Sequence, residues 1–357
     1  MNTTEILIRV IALVIKLAVA ILLTTGLIPV LIWIERRGAG FMQDRLGPNR
    51  TAIGNISMAG IVQSIADAIK LIFKEDMVPR DANKVLFAIG PMFALFAAVT
   101  AFAVIPFGPD VHVMGYTISM AVADLNVGML FVLAVSSFGI YGILIGGWAS
   151  NNKYSLLGGL RAASQMISYE IVMGLSLVGI FMIFGSTSIV EIVKSTDKTF
   201  LWGLLLPVYQ LPAFIIFVVA LLVESNRIPF DMAEADAELV AGFHTEYSSM
   251  RFAMFFMGEY VAMTVGSALI VTLFLGGWQF PGINYLMRQN QWIGLLCGFM
   301  VFMIKLFVIL WLYYWTRWSL PRFRYDQITR LCWKYLFPIG LANVVVTGIV
   351  LLLIQKI

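Results

Sequence analysis

Long apolar segments separated by short polar segments are the dominant pattern of this chain. Eight apolar runs are long enough to cross the hydrocarbon core of a bilayer, which takes about 20 residues. Five of them contain no charged residue and three contain one. The runs cover residues 10–34, 85–109, 125–152, 162–190, 199–223, 260–287, 289–316 and 335–355. The pattern therefore predicts an all-α integral membrane fold with eight transmembrane helices, forming a single polytopic membrane domain over residues 1–357.

One polar segment carries a helical periodicity of its own. Between residues 56 and 75, apolar side chains recur at spacings of three and four, and Gln63, Asp67, Lys70 and Lys74 form a matching polar stripe. This pattern is typical of an amphipathic helix that is too charged to span a membrane. It predicts a surface helix in the first cytoplasmic loop, either lying on lipid or packed on other helices.

Composition agrees with the apolar runs and limits the cofactors that this chain could bind. Hydrophobic residues make up 60% and charged residues 12% of the chain, whereas soluble domains average about 45–50% and about 25%. A soluble enzyme, a disordered chain and a nucleic-acid binder are therefore excluded. Two cysteines and two histidines leave little for an iron–sulfur cluster, zinc or haem. No phosphate-binding glycine motif is present, so any redox centre must come from a partner or a diffusible molecule.

The distribution of positive charge predicts the orientation. The loops at about 35–84, 150–161, 224–252 and 317–334 hold 17 of the 24 lysines and arginines, six lie on the opposite side, and Lys305 lies within a run. Since cytoplasmic loops are enriched in Lys and Arg, these four loops are predicted to be cytoplasmic and both termini outside.

Acidic residues gather on the predicted cytoplasmic side. The segment from Glu224 to Glu259 contains seven of the 20 acids. A solvated acidic loop is one interpretation, but the interleaved apolar residues favour partial burial or a partner interface. Crowded buried carboxylates hold their protons to higher pH, which suits proton uptake near neutrality.

Besides Lys16, Glu170 and Lys305 lie inside predicted spans, and Glu259 lies at the edge of the span 260–287. A charge at that depth costs at least about 2.5 kcal/mol, so it usually faces a protein interior, a partner or a proton path. A structural polar pair between helices is the alternative for each of them.

Taken together, the inner segments resemble one family, the H subunits of the membrane arm of respiratory complex I (NADH-quinone oxidoreductase). The resemblance covers nearly the whole chain in order. The matching stretches are residues 35–37, 43–50, 67–75, 124–128, 154–161, 168–170, 224–231, 238–242, 245–248 and 259–260. Three positions depart from the common pattern of the family: Ala233 stands where many relatives have proline, Asp236 where glutamate is common, and Ser249 where many have glycine.

The resemblance implies a non-redox subunit of a proton-translocating NADH:quinone reductase, joining the electron-transfer arm to the proton-pumping arm. It implies no catalytic residue and no metal ligand in this chain. The residues that it assigns to a quinone-entry chamber are Arg36, Asp67, Arg227, Phe230, Glu234, Asp236 and Glu238. Those that it assigns to a buried proton pathway are Glu35, Glu170, Glu224 and Glu259.

The same resemblance implies the partners and the location. Quinone, such as ubiquinone, would be the substrate, and NADH, FMN and iron–sulfur clusters would bind in partner subunits, with no cofactor held by this chain. Other complex I subunits of the redox and membrane arms, membrane quinone and lipid would be the partners, and nucleic acid would not. The location would be the bacterial inner (plasma) membrane or, alternatively, the mitochondrial inner membrane.

Three competing functions remain open at this point. The nearest is the homologous membrane subunit of an ion-pumping membrane-bound hydrogenase, which would share the acids without needing a quinone chamber. A stand-alone secondary transporter is the second, although no internal repeat is detectable. A purely structural anchor is the third.

Overall fold

Helices form most of the computed structural model, which describes residues 3–52, 58–113, 115–196, 210–234 and 236–355. In chain order they are α1 (Thr3–Ile21), α2 (Ile28–Met42), α3 (Val62–Phe73), α4 (Lys84–Ala101), α5 (Gly128–Ala149), α6 (Lys153–Phe184), α7 (Ile189–Thr196), α8 (Leu211–Glu224), α9 (Asp236–Leu239), α10 (Ser249–Phe274), α11 (Ile283–Gln289), α12 (Gln291–Ser319), α13 (Tyr325–Arg330) and α14 (Phe337–Gln355). Short π-helical turns join α1 to α2 (Leu22–Gly26) and α13 to α14 (Leu331–Leu336). Single 3₁₀ turns lie at Met58–Gly60, Phe102–Val104 and Gly242–His244.

Within the described residues, seven continuous helical segments are long and apolar enough to cross a membrane: Ile6–Met42, Lys84–Val104, Gly128–Ala149, Lys153–Phe184, Ser249–Phe274, Gln291–Ser319 and Tyr325–Leu353. The prediction of an all-α integral membrane protein is confirmed. The fifth predicted run, 199–223, lies partly outside the described residues, and its described part is the shorter apolar helix α8. The count of eight spans therefore stays a prediction.

Several helix ends differ from the predicted spans because charge-free runs mark the apolar centre of a helix rather than its ends. The predicted span over 260–287 is wrong at both ends. Its helix, α10, begins at Ser249 and carries Arg251 and Glu259 within it. It ends at Phe274, shortly before Gly276 and Gly277, whose φ angles of +70° and +59° reverse the chain. Likewise α6 begins at Lys153 rather than at residue 162.

A stripe of glycines brings α4 and α5 together. A Cβ atom on Gly90 would lie 2.9 Å from the Cα of Gly146, and one on Gly142 would lie 2.7 Å from the backbone nitrogen of Ala94. Side chains at these positions would force the two backbones apart, so the small residues set the close packing.

The predicted amphipathic segment contains a helix, α3, although residues 53–57 lie outside the described residues. Asp67 ties it to α2, because its carboxylate accepts a hydrogen bond from Arg36 at 2.6 Å. On the other face, Ile65, Ile69 and Ile72 are exposed. The helix thus contacts protein at Asp67, and part of its apolar face is exposed.

The two strands form a small hairpin at one end of the bundle. Strand β1 (Val111–Val113) pairs antiparallel with β2 (Tyr116–Ile118), and Val111 lies opposite Ile118. Two hydrogen bonds between the backbone of His112 and the side chain of Gln291, at 3.2 and 2.9 Å, hold the hairpin on α12.

At the other end, the segment 225–248 folds into the bundle instead of extending into solvent. Phe243 is buried, and the ring of Tyr247 stacks on Phe87 with centroids 4.0 Å apart. Gly242 has a φ of +59°, and a Cβ atom there would lie 1.7 Å from the carbonyl oxygen of Ala233, so only glycine fits. Of the two interpretations of the acidic segment, partial burial is the one that the structure confirms.

Candidate functional site

Four elements meet at the inner end of the bundle, defined here as the end that contains Glu35, Arg227 and Arg317: α2, the segment 225–248, α10 and α12. Glu35 lies at the centre, and only 6% of it is exposed. Its carboxylate accepts a hydrogen bond from the hydroxyl of Tyr260 at 2.7 Å and forms an ion pair with the guanidinium of Arg317. Three helices are thus joined through one buried carboxylate.

Arg227 connects Glu35 with a second buried carboxylate. Its Nη1 lies 3.9 Å from Oε2 of Glu35, and its Nη2 lies 3.3 Å from Oε2 of Glu259. Its guanidinium lies over the ring of Tyr260, 4.3 Å from the ring centroid. Burial lowers the pKa of Arg227, but Tyr260, Glu259 and Glu35 raise it by more, so this pKa lies above its ordinary value. The positive charge is therefore permanent, and two carboxylates share it.

Glu234 extends this cluster along the inner loop. Its carboxyl group lies close enough to that of Glu259 for the two like charges to interact. On its other side, Nδ1 of His244 lies 3.7 Å from Oε1 of Glu234. The cluster therefore contains neighbouring groups that can each hold a proton.

Asp231 adds a carboxyl group that titrates near neutral pH. Its Oδ2 accepts a hydrogen bond from Nη2 of Arg322 at 2.9 Å. Burial raises the pKa of Asp231 to about 7, the neighbouring charge of Glu234 raises it too, and Arg322 acts in the opposite direction. Burial thus outweighs the ion pair. A buried carboxyl group with a shifted pKa is a common feature of functional sites.

A cavity leads from this cluster into the bundle. It has a volume of about 80 Å³, and Glu259, Asn226 and Glu224 are among its lining residues. A cavity needs about 10–15 Å³ to hold one water molecule, so this one has room for several. Glu259 and Glu224 therefore face the same internal space.

A second, smaller cavity continues from Glu224 to Glu170. Its volume is about 10 Å³, and Ser136 lines both cavities together with Glu224. Glu170 accepts a hydrogen bond from the hydroxyl of Ser137 at 2.5 Å. Glu259, Glu224 and Glu170 thus line two adjoining cavities, and Glu35 lies beside Glu259 through their shared partner Arg227.

The residues predicted for a quinone chamber divide into separate groups. Arg227 and Glu234 belong to the buried cluster. Arg36 pairs with Asp67 at the more exposed boundary between α2 and α3. Glu238, half exposed, pairs with Arg161 at 2.6 Å.

The two remaining residues predicted for the chamber are Phe230 and Asp236. Phe230 is buried, with its ring centroid 6.2 Å from that of Tyr169 and 5.6 Å from that of Phe323, so it packs among aromatic rings. Asp236 begins the short helix α9, and its side chain lies outside what the structure describes.

The comparisons with known proteins cover nearly the whole chain. The profile of the NADH dehydrogenase family matches residues 15–348. The H subunit of NADH-quinone oxidoreductase from Flavobacterium psychrophilum is 43% identical, with 90% of this chain and 92% of the relative aligned. The second H-type protein of Geobacter sulfurreducens is 45% identical over 95% and 96% of the two chains, and that of Syntrophobacter fumaroxidans is 47% identical over 89% of each. The chain belongs to the family of NADH-quinone oxidoreductase H subunits. The resemblance found in the inner segments is therefore confirmed, and the matched region contains every residue of the cluster.

Three cluster residues of this family member were not singled out from the sequence: Arg317, Arg322 and Tyr260. Both arginines were counted only as positive charges of a cytoplasmic loop, yet each pairs with a buried carboxylate, Glu35 or Asp231. The excess of acids over bases in the segment 224–259 was a usable signal, since buried carboxylates require cations from elsewhere in the chain.

Lys305 turns out to have a structural role. Its ammonium group donates hydrogen bonds to the carbonyl oxygens of Leu275, Gly277 and Gln279 at 2.8, 2.9 and 2.9 Å. These carbonyls follow the end of α10, where the helix leaves acceptors without intrahelical partners.

In the part of the chain that the structure describes, no group of three or more His, Cys, Asp or Glu residues could hold a metal ion.

Asp231→Asn should change how the stability of the protein depends on pH. Folded Asp231 keeps its proton up to about pH 7, whereas the ordinary pKa of an aspartate is 3.8. The folded state therefore binds more protons than the unfolded state between these values, and the wild type loses stability as pH rises through this window. Asparagine has no proton to lose. The melting temperature of the variant should rise relative to that of the wild type between about pH 4 and about pH 7.

Arg322→Gln tests the cause of this effect. Because Arg322 lowers the pKa of Asp231, its removal should move the loss of stability to higher pH. An Asp231→Asn variant whose melting temperature follows that of the wild type at every pH would contradict the assignment.

Proposed function

We propose that this chain is the membrane subunit of a proton-pumping NADH:quinone oxidoreductase, that it forms much of the quinone-entry chamber, and that it links quinone reduction to proton translocation through buried carboxylates. The observation that carries the proposal is the buried cluster of Glu35, Arg227 and Glu259, from which a cavity leads to Glu224. The relatives are named as H subunits of NADH-quinone oxidoreductase, which supports NADH as the electron donor of the complex and quinone as its substrate.

The proposed mechanism follows from charge. A quinone that accepts two electrons carries two negative charges until it takes up two protons. Negative charge near the inner loop acts on the permanent cation Arg227 and thereby changes the balance between Glu35 and Glu259. A proton then moves along Glu259, Glu224 and Glu170 through the two cavities. In this mechanism the chain guides the quinone and relays charge, while electrons stay in other subunits.

The remaining parts of the proposal concern placement. The chain has eight spans, of which α8 is the inner half of the fifth, and α3 lies at the membrane surface. Both termini are outside, and the chain is located in the bacterial inner membrane. NADH, FMN and iron–sulfur clusters bind in the redox-arm subunits, and this chain holds no cofactor of its own. Quinone, lipid and the neighbouring subunits of both arms are its partners.

Glu170→Gln and Glu259→Gln test this function in the assembled complex. Glutamine keeps the size and much of the hydrogen bonding of glutamate but cannot carry a proton. We expect NADH:quinone turnover to fall to about a tenth or less, because a positioned proton-transferring group contributes at least that much. Electron transfer from NADH to an artificial acceptor should persist, since it does not use this chain.

Glu191→Gln is the matched control, because Glu191 is exposed on α7 and hydrogen-bonds Ser186. It should leave both activities unchanged. If the Glu170 and Glu259 variants assemble and pump protons at the wild-type rate, the relay function is excluded.

A further inference from the structure

Two adjacent serines on α5 contact two acids that come from different helices. The hydroxyl of Ser137 lies 2.5 Å from Oε1 of Glu170, which belongs to α6. Ser136 lies beside Glu224, the last residue of α8, and lines the same two cavities. One turn of α5 thus lies beside both Glu224 and Glu170.

Each of the two hydroxyls also has a second acceptor within reach. The carbonyl oxygen of Leu133 lies 3.0 Å from Oγ of Ser136 and 3.1 Å from Oγ of Ser137. A serine hydroxyl has one proton to donate and two lone pairs that accept. At any moment, therefore, each serine donates either to the backbone carbonyl or to its glutamate.

The choice between these acceptors matches the two protonation states of a carboxyl group. When the glutamate is ionised, the serine donates to the carboxylate. When the carboxyl group holds a proton, it donates this proton to the serine oxygen, and the hydroxyl turns toward the carbonyl of Leu133. In either state of one glutamate, that glutamate and its serine each keep a hydrogen-bond partner, and only hydrogen atoms change position. A buried polar group without a partner costs about 1–3 kcal/mol, which this arrangement avoids in either state.

The position of Ser136 adds a second reason to assign a role to the pair. Ser136 lines both the larger cavity, which reaches Glu259, and the smaller one, which reaches Glu170. It therefore lies where the two cavities adjoin at Glu224.

We propose that Ser136 and Ser137 are positioning residues that allow Glu224 and Glu170 to gain and lose protons without rearrangement of the surrounding helices. No covalent bond to a serine oxygen is made or broken. The proton that arrives stays on the carboxyl group, and the hydroxyl proton turns to its second acceptor. This inference rests on the proposed function, because it concerns the proton pathway through the same two acids.

Threonine and valine variants isolate the hydroxyl from the shape of the side chain. Threonine keeps the hydroxyl and adds a methyl group, and valine has nearly the same volume without the hydroxyl. In the purified, assembled complex we expect Ser137→Val to have about tenfold lower NADH:quinone turnover than Ser137→Thr, the effect of losing one hydrogen bond to a charged group. The Ser136 pair should behave in the same way. Electron transfer from NADH to an artificial acceptor should be equal in all four variants.

Ser176 provides the matched control. It is buried in α6, and its hydroxyl donates to the carbonyl oxygen of Met173 at 2.7 Å, so it shares the bond to its own helix. Ser176→Thr and Ser176→Val should show equal turnover. Infrared difference spectra provide a second measurement, because the carboxyl band of Glu170, identified by its loss in Glu170→Gln, should shift in Ser137→Val and not in Ser137→Thr.

The outcomes separate this inference from the function on which it rests. If Glu170→Gln abolishes turnover while the valine and threonine variants are equal, the proton pathway stands and the role of the serines is excluded. If Glu170→Gln and Glu224→Gln leave turnover unchanged, the pathway itself fails, and the role of the serines fails with it. A deficit in valine variants at 136 and 137 that is absent at 176 supports the inference.

Discussion

Arg227→Met should abolish NADH:quinone turnover and reduce the amount of assembled complex. Arg227 is 5% exposed and is the shared cation of Glu35 and Glu259. Removing one partner of a buried ion pair leaves an uncompensated charge and costs about 3–5 kcal/mol. Glu35 keeps Arg317 as a partner, so the larger loss falls on Glu259. Turnover per assembled complex and the quantity of complex in the membrane are the two measurements.

Companion variants separate charge from geometry. Arg227→Lys keeps the positive charge but cannot reach both carboxylates with a planar fork, so an intermediate loss is expected. Combining Arg227→Met with Glu259→Gln removes the orphaned charge, and it should restore assembly while leaving turnover low. If the double variant assembles no better than Arg227→Met, the charge balance described here is not what stabilises the site.

Lys194→Met provides the matched control for a charged pair. Lys194 lies 2.6 Å from Asp110, and its side chain is 45% exposed. Exposed pairs contribute about 0–1 kcal/mol, so this variant should assemble and turn over like the wild type.

Lys305→Met should lower assembly without selectively affecting turnover. The substitution leaves three backbone carbonyls at the end of α10 without their donor. In a membrane no water replaces that donor, and each orphaned carbonyl costs about 1–3 kcal/mol. We expect little complex in the membrane and a lowered melting temperature, while the complex that does form should retain wild-type turnover per assembled unit.

Lys334→Met makes the same substitution at an exposed lysine whose ammonium lies 5.9 Å from the ring centroid of Tyr335. It should change neither quantity. A Lys305→Met complex that assembles normally but fails to turn over would show instead that Lys305 takes part in proton transfer.

Lys305 and Glu259 show how far the sequence alone can predict the role of a buried charged residue. Both were recognised as costly residues within or beside apolar runs, and a functional and a structural role were open for each. The partners decide between them: among the described residues, the hydrogen bonds of Lys305 go to backbone carbonyls, whereas Glu259 contacts Arg227 and Glu234 and lines a cavity. Those partners lie about 30 residues away along the chain, and no local pattern specifies them.

By itself the sequence determined the membrane class, the helical fold and the family, because bilayer thickness and the lack of water in lipid impose long apolar runs that are visible in one dimension. It also singled out Glu170 and Glu259 as candidate proton-carrying acids, since charges are rare in and beside such runs. Only the tertiary structure decided the helix ends, the pairing of Glu35 with Arg317 and of Asp231 with Arg322, and the grouping of the predicted chamber residues. The physical reason is that a buried charge is stabilised by contacts between distant segments, and these depend on how the helices pack rather than on the order of residues.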